Sequence, residues 1–370
     1  MEIIRSATFE GMADQEGYPT KTYKKLYERL AKNEVKTLIT GFMYISNKGR
    51  AMQIGQAGMD EIRKVQAYKE ITDSVHQYGS KIIAQLAHTG RQTWNTGYEV
   101  IGVSSKKSGY FNTQPHTLTI DEINEIIGEF SNAALYAKLA GFDGVQLHAA
   151  HGYLIHQFLL PSINNRKDEY GEGTLFLERI IQRIREKCND FPVWVKVSWG
   201  VDIEKYTENQ FIDLIRFLDR AKVDAIEVSY GTMDVALNIF RGKIPIKEVL
   251  NYNPIYRNKS TLGIILSLPL EVFKIKKYTP MYNLKYAKLA KRYTNIPIIA
   301  VGGFRKGEEI NRCGMDFISL CRPFICEEDF LLKLKENPYY ISQCTNCNRC
   351  AIMCDTKSSL RCYGKKGKDS

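Results

Sequence analysis

The chain has 370 residues, 44% hydrophobic and 25% charged, with a formal net charge of +11. This is a globular composition that excludes a disordered chain, and no apolar run approaches the roughly 18 residues a membrane helix needs. The start, MEIIRSATFEG, has neither an apolar signal core nor a cleavage-type ending, so a cytoplasmic location is expected.

In chain order, strands are predicted over residues 3–7, 36–44, 81–86, 144–147, 193–197, 225–228, 298–301 and 317–320. Amphipathic helices are predicted over 59–78, 120–140, 175–188, 209–221, 284–293 and 327–334. The helical spacing is plain in Ile123, Ile126, Ile127, Phe130 and Ala134. Strands alternating with helices imply a parallel sheet with right-handed crossovers. Eight such strands favour a closed α/β (β/α)8 TIM barrel over residues 1–338. A doubly wound sheet would need a glycine-rich dinucleotide turn after its first strand, and none is present. Residues 231–280 fit neither helix nor strand and read as an insertion on the catalytic face. Within them begins the basic stretch from Arg241 to Arg292, with twelve Lys and Arg against Glu248 and Glu271. Such a stretch suits phosphates or an acidic protein, or is simply solvated surface. No nucleic-acid motif accompanies it.

The most informative run is GVQLHAAHGYLIHQFLLPSINNRKDEYG. An apolar strand ends at Leu147 and is followed by His148, His151 and Tyr153. Strand C-terminal ends are where such barrels carry their chemistry. Two imidazoles so placed can donate to one carbonyl oxygen and polarise a conjugated double bond, and a nearby tyrosine can supply a proton. The same His-x-x-His spacing also suits zinc, but no acidic third ligand is near in sequence.

This run resembles the old yellow enzyme (NADH:flavin oxidoreductase) family. The histidines three apart, the Gly152-Tyr153-Leu154 and Gln157-Phe158-Leu159 strings, and Asn165, Arg166, Asp168, Tyr170 and Gly171 all match its pattern. The resemblance spans residues 1 to about 338. It implies an FMN-dependent ene-reductase of α,β-unsaturated carbonyl compounds. His148 and His151 would bind the carbonyl oxygen, the flavin hydride would reach the β-carbon, and Tyr153 would protonate the α-carbon. NADH or NADPH would be the electron donor. The Arg166–Asp168 pair reads as a structural clasp.

The remaining FMN contacts follow from the same resemblance. Gly302 and Gly303 after the seventh strand, with Cys321 and Arg322 after the eighth, resemble the barrel phosphate site. Gln85 matches the glutamine that bonds the flavin pyrimidine. Lys196 stands where the family more often has arginine, and can stabilise negative charge on reduced flavin. Ser6, Ala7 and Thr8 resemble the first flavin-contacting strand, and Gly41 would lie beside the ring. Phe9 falls where the family often has threonine or cysteine. His88, Arg91 and Gln92 are expected to be structural or at the substrate rim.

Residues 339–370 form a cysteine-rich tail, CTNCNRCAIMCDTKSSLRC. Cys344, Cys347, Cys350 and Cys354 have the C-x2-C-x2-C-x3-C ferredoxin spacing without its proline. A [4Fe–4S] cluster, a zinc site and free thiols are the three readings, with Cys354 or Cys362 completing any metal set. The long relatives of the family, dienoyl-CoA and enoate reductases, carry a cluster whose last ligand lies about a dozen residues beyond the third. That points to Cys344, Cys347, Cys350 and Cys362, although the middle spacing here is x2 where theirs is x3. Cys188, Cys313, Cys321 and Cys326 stand isolated in sequence.

The expected substrate is a small enone, enoate or enoyl-CoA. An acidic electron carrier and a homo-oligomer are admitted as partners, but no nucleic acid and no membrane. The alternatives are an amine dehydrogenase of the same fold and a flavin/iron–sulfur electron-transfer protein whose barrel is a scaffold.

Overall fold

The computed structural model describes residues 1–257 and 274–364. Eight parallel strands close on themselves: β1 (Glu2–Arg5), β2 (Thr37–Ile39), β3 (Lys81–Ala87), β4 (Gly144–Ala149), β5 (Val193–Ser198), β6 (Ala225–Ser229), β7 (Ile298–Val301) and β8 (Phe317–Leu320). Each pairs with its successor, β8 pairs with β1, and β2 pairs with β3, which closes the barrel. The expected (β/α)8 barrel is therefore the fold.

A helix follows each strand: α1 (Lys21–Lys32), α2 (Val65–His76), α3 (Ile120–Leu139), α4 (Leu175–Cys188), α5 (Glu208–Arg220), α6 (Leu284–Ala290), α7 (Gly307–Arg312) and α8 (Phe330–Glu336). Local chemistry starts them. Thr119 with Glu122 and Thr207 with Gln210 form reciprocal capping boxes at α3 and α5, satisfying backbone N–H groups that the first turn leaves free. The apolar stripes then bury against the outer face of the barrel, as with Ile123, Ile127, Phe130 and Ala134 of α3.

Several boundaries differ from the sequence reading. The strand expected over 36–44 is interrupted after Ile39 and resumes only at Met43–Tyr44. Gly41 lies in the interruption, its amide donating to the Glu10 carboxylate at 2.7 Å. The helix expected over 59–78 opens as a 3-10 turn, Ile62–Lys64, before α2 begins. Helices α1 and α7 were not anticipated.

Strand alternation sorts the barrel interior into layers. Ile4, Ile39, Ile83, Ala225 and Ile299 plug the lower end. One step higher stand Ser6, Gln85, Gln146, Lys196, Glu227 and Ser319, all buried. Above them the strand ends open to the catalytic face. The insertion after β6 forms the short helices Leu237–Phe240 and Ile246–Tyr252 on that face. Its residues 258–273, including Lys259 and Glu271 of the basic stretch, lie outside the described residues, as do residues 365–370.

The tail does not stand apart. Glu327 accepts from Ser342 Oγ and Gln343 N, pinning the exit from α8. The helix Arg349–Met353 then packs on Ile246–Tyr252, with Arg349 2.8 Å from Glu248.

Candidate active site

Three adjoining cavities occupy the catalytic face. The largest, about 300 Å³, is lined by Ala7, Thr8, Gln85, His148, His151 and Tyr153, with Lys196, Cys321 and Arg322 also on its wall. A second, about 130 Å³, is bounded by Ser6, Gly302 and Gly303 and shares Ala7, His151, Lys196, Cys321 and Arg322 with the first. A third, about 40 Å³, is faced by Cys344, Cys347, Cys350 and Cys362, with Cys326 also on its wall. Gly41 lines none of them. Its missing Cβ makes room for the Glu10 carboxylate, which a Cβ would meet at 2.2 Å.

The histidines end β4. His151 has φ of 60°, a left-handed conformation uncommon for a residue with a Cβ and the kind of backbone that clusters at working sites. Glycine at 152 continues the tight turn. The two rings meet edge to face, with His148 Nε2 3.2 Å from His151 Nδ1. His151 Nε2 lies 2.8 Å from Ser229 Oγ. The backbone N–H of Ala150 points at His148 Nδ1 at 3.4 Å, which assigns the His148 proton to Nε2. Burial, then the positive charge of Lys196, holds His148 well below the usual histidine range. Burial and His148 itself do the same for His151. Both are neutral imidazoles.

Tyr153 packs its ring against His148 at 4.7 Å and against Phe42 at 5.4 Å. Burial, with negative charge at Asp355 and Cys354, pushes its hydroxyl up, so it holds its proton at neutral pH.

Beneath these groups lies a network that the sequence reading missed. Glu227 is fully buried. It accepts from Ser6 Oγ at 2.9 Å, Ser319 Oγ at 2.5 Å and Gln146 Nε2 at 3.0 Å, and pairs with Lys196 Nζ at 3.3 Å. Gln146 in turn accepts from Gln85 Nε2 at 2.6 Å. Ser6 and Lys196 are thus anchored to a central carboxylate, and the lysine charge is balanced from below. The sequence offers only that Glu227 is the lone charge in the apolar strand AIEVS; its register with Lys196 comes with the folded sheet.

At the second cavity, Gly302 and Gly303 both have positive φ, and a Cβ on Gly302 would meet the Tyr282 ring at 2.6 Å. Two arginines converge there. Arg322 donates to Arg241 O and Asn348 Oδ1, each at 2.8 Å, so it ties the insertion to the tail while facing all three cavities. Arg305, which was not anticipated, keeps its Nε buried without a partner among the described residues.

Arg91 and Gln92 prove to be wall supports. They hold Asp234, on the cavity lining, at 3.3 Å and 2.6 Å. His88 faces a different cleft. Arg166 clasps Asp168 at 2.5 Å and also donates to Leu118 O. Cys354 lines the cavity that holds the histidines and not the cysteine cavity. Burial pushes the Cys350 thiol up to about 12. Among the described residues no three His, Cys, Asp or Glu side chains stand as a ready-made metal centre, and no helix is long and apolar enough to cross a membrane.

A closed barrel with a largely apolar cavity at its strand ends, a glycine–arginine pocket after β7 and β8 and a histidine pair after β4 defines a class of barrel oxidoreductases. The chain belongs to the NADH:flavin oxidoreductase / NADH oxidase family, whose model matches residues 3–340. It is 30% identical over 360 residues to an NADH oxidase of Thermoanaerobacter brockii, covering 94% of this chain and 50% of that one. It is 36% identical over 203 residues to an NADPH dehydrogenase of Listeria welshimeri, covering 52% and 58% respectively. The chain thus spans about half the length of these relatives. Among solved structures, a 2-naphthoyl-CoA reductase in complex with 2-naphthoyl-CoA superposes with a TM-score of 0.81 at 21% identity, covering 98% of this chain and 54% of that one. An old yellow enzyme homologue from Zymomonas mobilis superposes with a TM-score of 0.68 at 22% identity, covering 92% and 90%. Both share the fold.

Proposed function

We propose that this chain is an FMN-dependent ene-reductase that reduces the C=C bond of α,β-unsaturated carbonyl compounds. The observation that carries the reading is the juxtaposition of two neutral imidazoles and a protonated tyrosine on one cavity wall. A carbonyl oxygen seated between His148 Nε2 and His151 Nδ1 receives two hydrogen bonds once His151 takes its Nδ1–H tautomer. Ser229 then donates to His151 Nε2, so the exchange leaves no polar group unpaired. Such donors stabilise the oxygen as it gains negative charge. Tyr153 holds the proton for the α-carbon. Neutral donors favour an oxygen over the cationic amine an amine dehydrogenase takes.

The residues fit FMN. Gly302, Gly303, Arg305 and Arg322 would hold its phosphate, the partnerless Arg305 Nε supplying a donor with no other use. Gln85 and Lys196 would meet the pyrimidine edge, and Ala7 and Thr8 the ring. Bound there, FMN supplies the hydride, with NADH or NADPH as its source.

We also propose that the tail holds a [4Fe–4S] cluster through Cys344, Cys347, Cys350 and Cys362. Support comes from their common cavity, and from Cys354 lying elsewhere. Cys350 borders both the cysteine cavity and the flavin cavity, which suits electron entry from a carrier protein.

The test is anaerobic turnover of the FMN-loaded full chain with NADH or NADPH and 2-cyclohexen-1-one, following the saturated ketone. Tyr153→Phe should lower kcat by about a hundredfold, the usual worth of a positioned acid. Stoichiometric FMN that NAD(P)H reduces, with no saturated product from any enone, would overturn the reductase reading and favour the electron-transfer alternative. For the tail, iron content of roughly four per chain should be lost in Cys362→Ser and kept in Cys354→Ser. Zinc in place of iron would refute the cluster.

A further inference from the structure

The catalytic cavity contains a carboxyl group that the mechanism above does not use. Asp355, from the tail, lines the same wall as Tyr153 and the histidines. Of the two aspartates on that lining, Asp234 is neutralised by Arg91. Asp355 has no cationic partner among the described residues. It is held by amides instead: Gln53 Nε2 donates to Oδ1 and Asn253 Nδ2 to Oδ2, each at 3.0 Å.

That hold is built. Asn253 is itself oriented by its Oδ1, which accepts the backbone N–H groups of Ile255 and Tyr256 at 3.1 Å and 3.3 Å. Its Nδ2 is thereby directed at Asp355, and its burial leaves it little freedom. Three separate segments thus converge on one carboxyl: the loop after β2, the insertion after β6, and the tail. A carboxylate accepts about four hydrogen bonds, and two acceptor positions remain open. Burial favours the protonated form and moves the group up to about 6, the two amides offsetting part of the shift. The cavity that Asp355 shares with the histidines is largely apolar, its lining including Phe42, Val249, Ile352 and Leu360.

An oxygen-binding pair and a carboxylate without a cation among the described residues, both on one largely apolar cavity, together describe a ligand. We propose that Asp355 is the specificity-determining residue of a second subsite in this cavity, which takes a substrate whose enone also carries an ammonium or other hydrogen-bond donor, and which rejects a free carboxylate there. This rests on the reductase reading for the orientation of the enone. The donor completes the open acceptor positions of Asp355. A carboxylate in its place meets a like charge that no cation pairs with among the described residues.

The test uses FMN-loaded full chain and 4-phenyl-3-buten-2-one bearing a para aminomethyl, hydroxymethyl or carboxylate group. It is run near pH 8, where Asp355 is ionised and the amine protonated. Wild type should favour the ammonium over the carboxylate compound by about tenfold or more in kcat/KM, with the hydroxymethyl compound between. In Asp355→Asn that ratio should fall by about tenfold. Asp355→Ser gives the same reading should the asparagine variant fold poorly. A ratio changed by less than about twofold in the variants overturns the proposal. Should wild type reduce none of the three, the reductase reading fails alone. The subsite is then judged by the ratio of Kd values from flavin absorbance titrations. Loss of the ammonium preference in the variants sustains it; an unchanged ratio, or no binding of the ammonium compound at millimolar concentration, overturns it.

Discussion

Acidification should unfold this protein through its histidines. His88, His148 and His156 are buried, His151 is partly buried, and all four are neutral; burial holds His88 and His156 at about 3 and the His148–His151 pair well below the usual range. In the unfolded chain each takes up a proton near pH 6.5. Stability from a depressed histidine is fully present above that unfolded value and is lost as pH falls below it. Between about pH 7.5 and about pH 5.5 each costs about 1.4 kcal/mol, or about 5 kcal/mol for the set. Two raised carboxyls oppose this. Burial lifts Glu129 to about 7 and Asp355 to about 6. Their folded forms bind protons before the unfolded chain does, which returns about 2.5 kcal/mol over the same interval. Asp168 and Glu122, which are depressed by hydrogen bonds, act only below about pH 4.5 and stay outside the window. The net loss is roughly 3 kcal/mol, a large fraction of a typical domain's stability. Urea unfolding of the FMN-free protein should show it as a falling midpoint, without ligand linkage complicating the result. His156→Gln, whose amide oxygen can still accept from the Gly152 N–H that His156 Nδ1 now holds at 2.9 Å, should flatten the profile by about 1.4 kcal/mol. A midpoint that stays level or rises on acidification would refute the neutral-histidine argument.

Glu227→Gln should cost about 3–5 kcal/mol in urea unfolding, because it leaves the buried Lys196 ammonium without its counterion; a loss under about 1 kcal/mol would show that the pair is not needed. Arg322→Ala should weaken FMN binding in equilibrium dialysis by about tenfold or more, since a charged fork to phosphate is removed. Unchanged affinity would place the phosphate elsewhere. Gly302→Ala combines a φ of +109° with a clash against the Tyr282 ring. It should lower thermal stability and FMN occupancy together, at a cost of about 1–3 kcal/mol, and a variant as stable as wild type would show that the loop can rearrange.

How much of this was legible depended on whether the signal was local. The barrel was, because each β–α unit carries its own period, and α4 has the bounds 175–188 expected of it. Helix α1 was also written locally: Thr20 caps it, and Tyr23, Leu26, Tyr27 and Leu30 form its buried face. It was overlooked because its lysines mask that stripe. The histidine pair was legible as a motif, and the structure adds what no motif carries: the left-handed His151 backbone and the Ser229 contact 78 residues away. Glu227 was passed over because a single charge inside a strand carries no meaning until closure of the barrel sets it beside Lys196, Ser6 and Ser319. Gly41 shows the converse. A glycine at a strand end suggests close approach of a ligand, but the group that approaches is the chain's own Glu10. The tail was read as a string of sulfurs, yet where the chain turns decides their roles. Cys362 turns back to the cysteine cavity, while Cys354 and Asp355 are carried onto the catalytic one. A segment suited by its spacing to bind a cluster therefore also supplies part of the wall of the cavity that holds the histidine pair. Arg322, bonded to Asn348 of that segment and facing all three cavities, is the physical link between them.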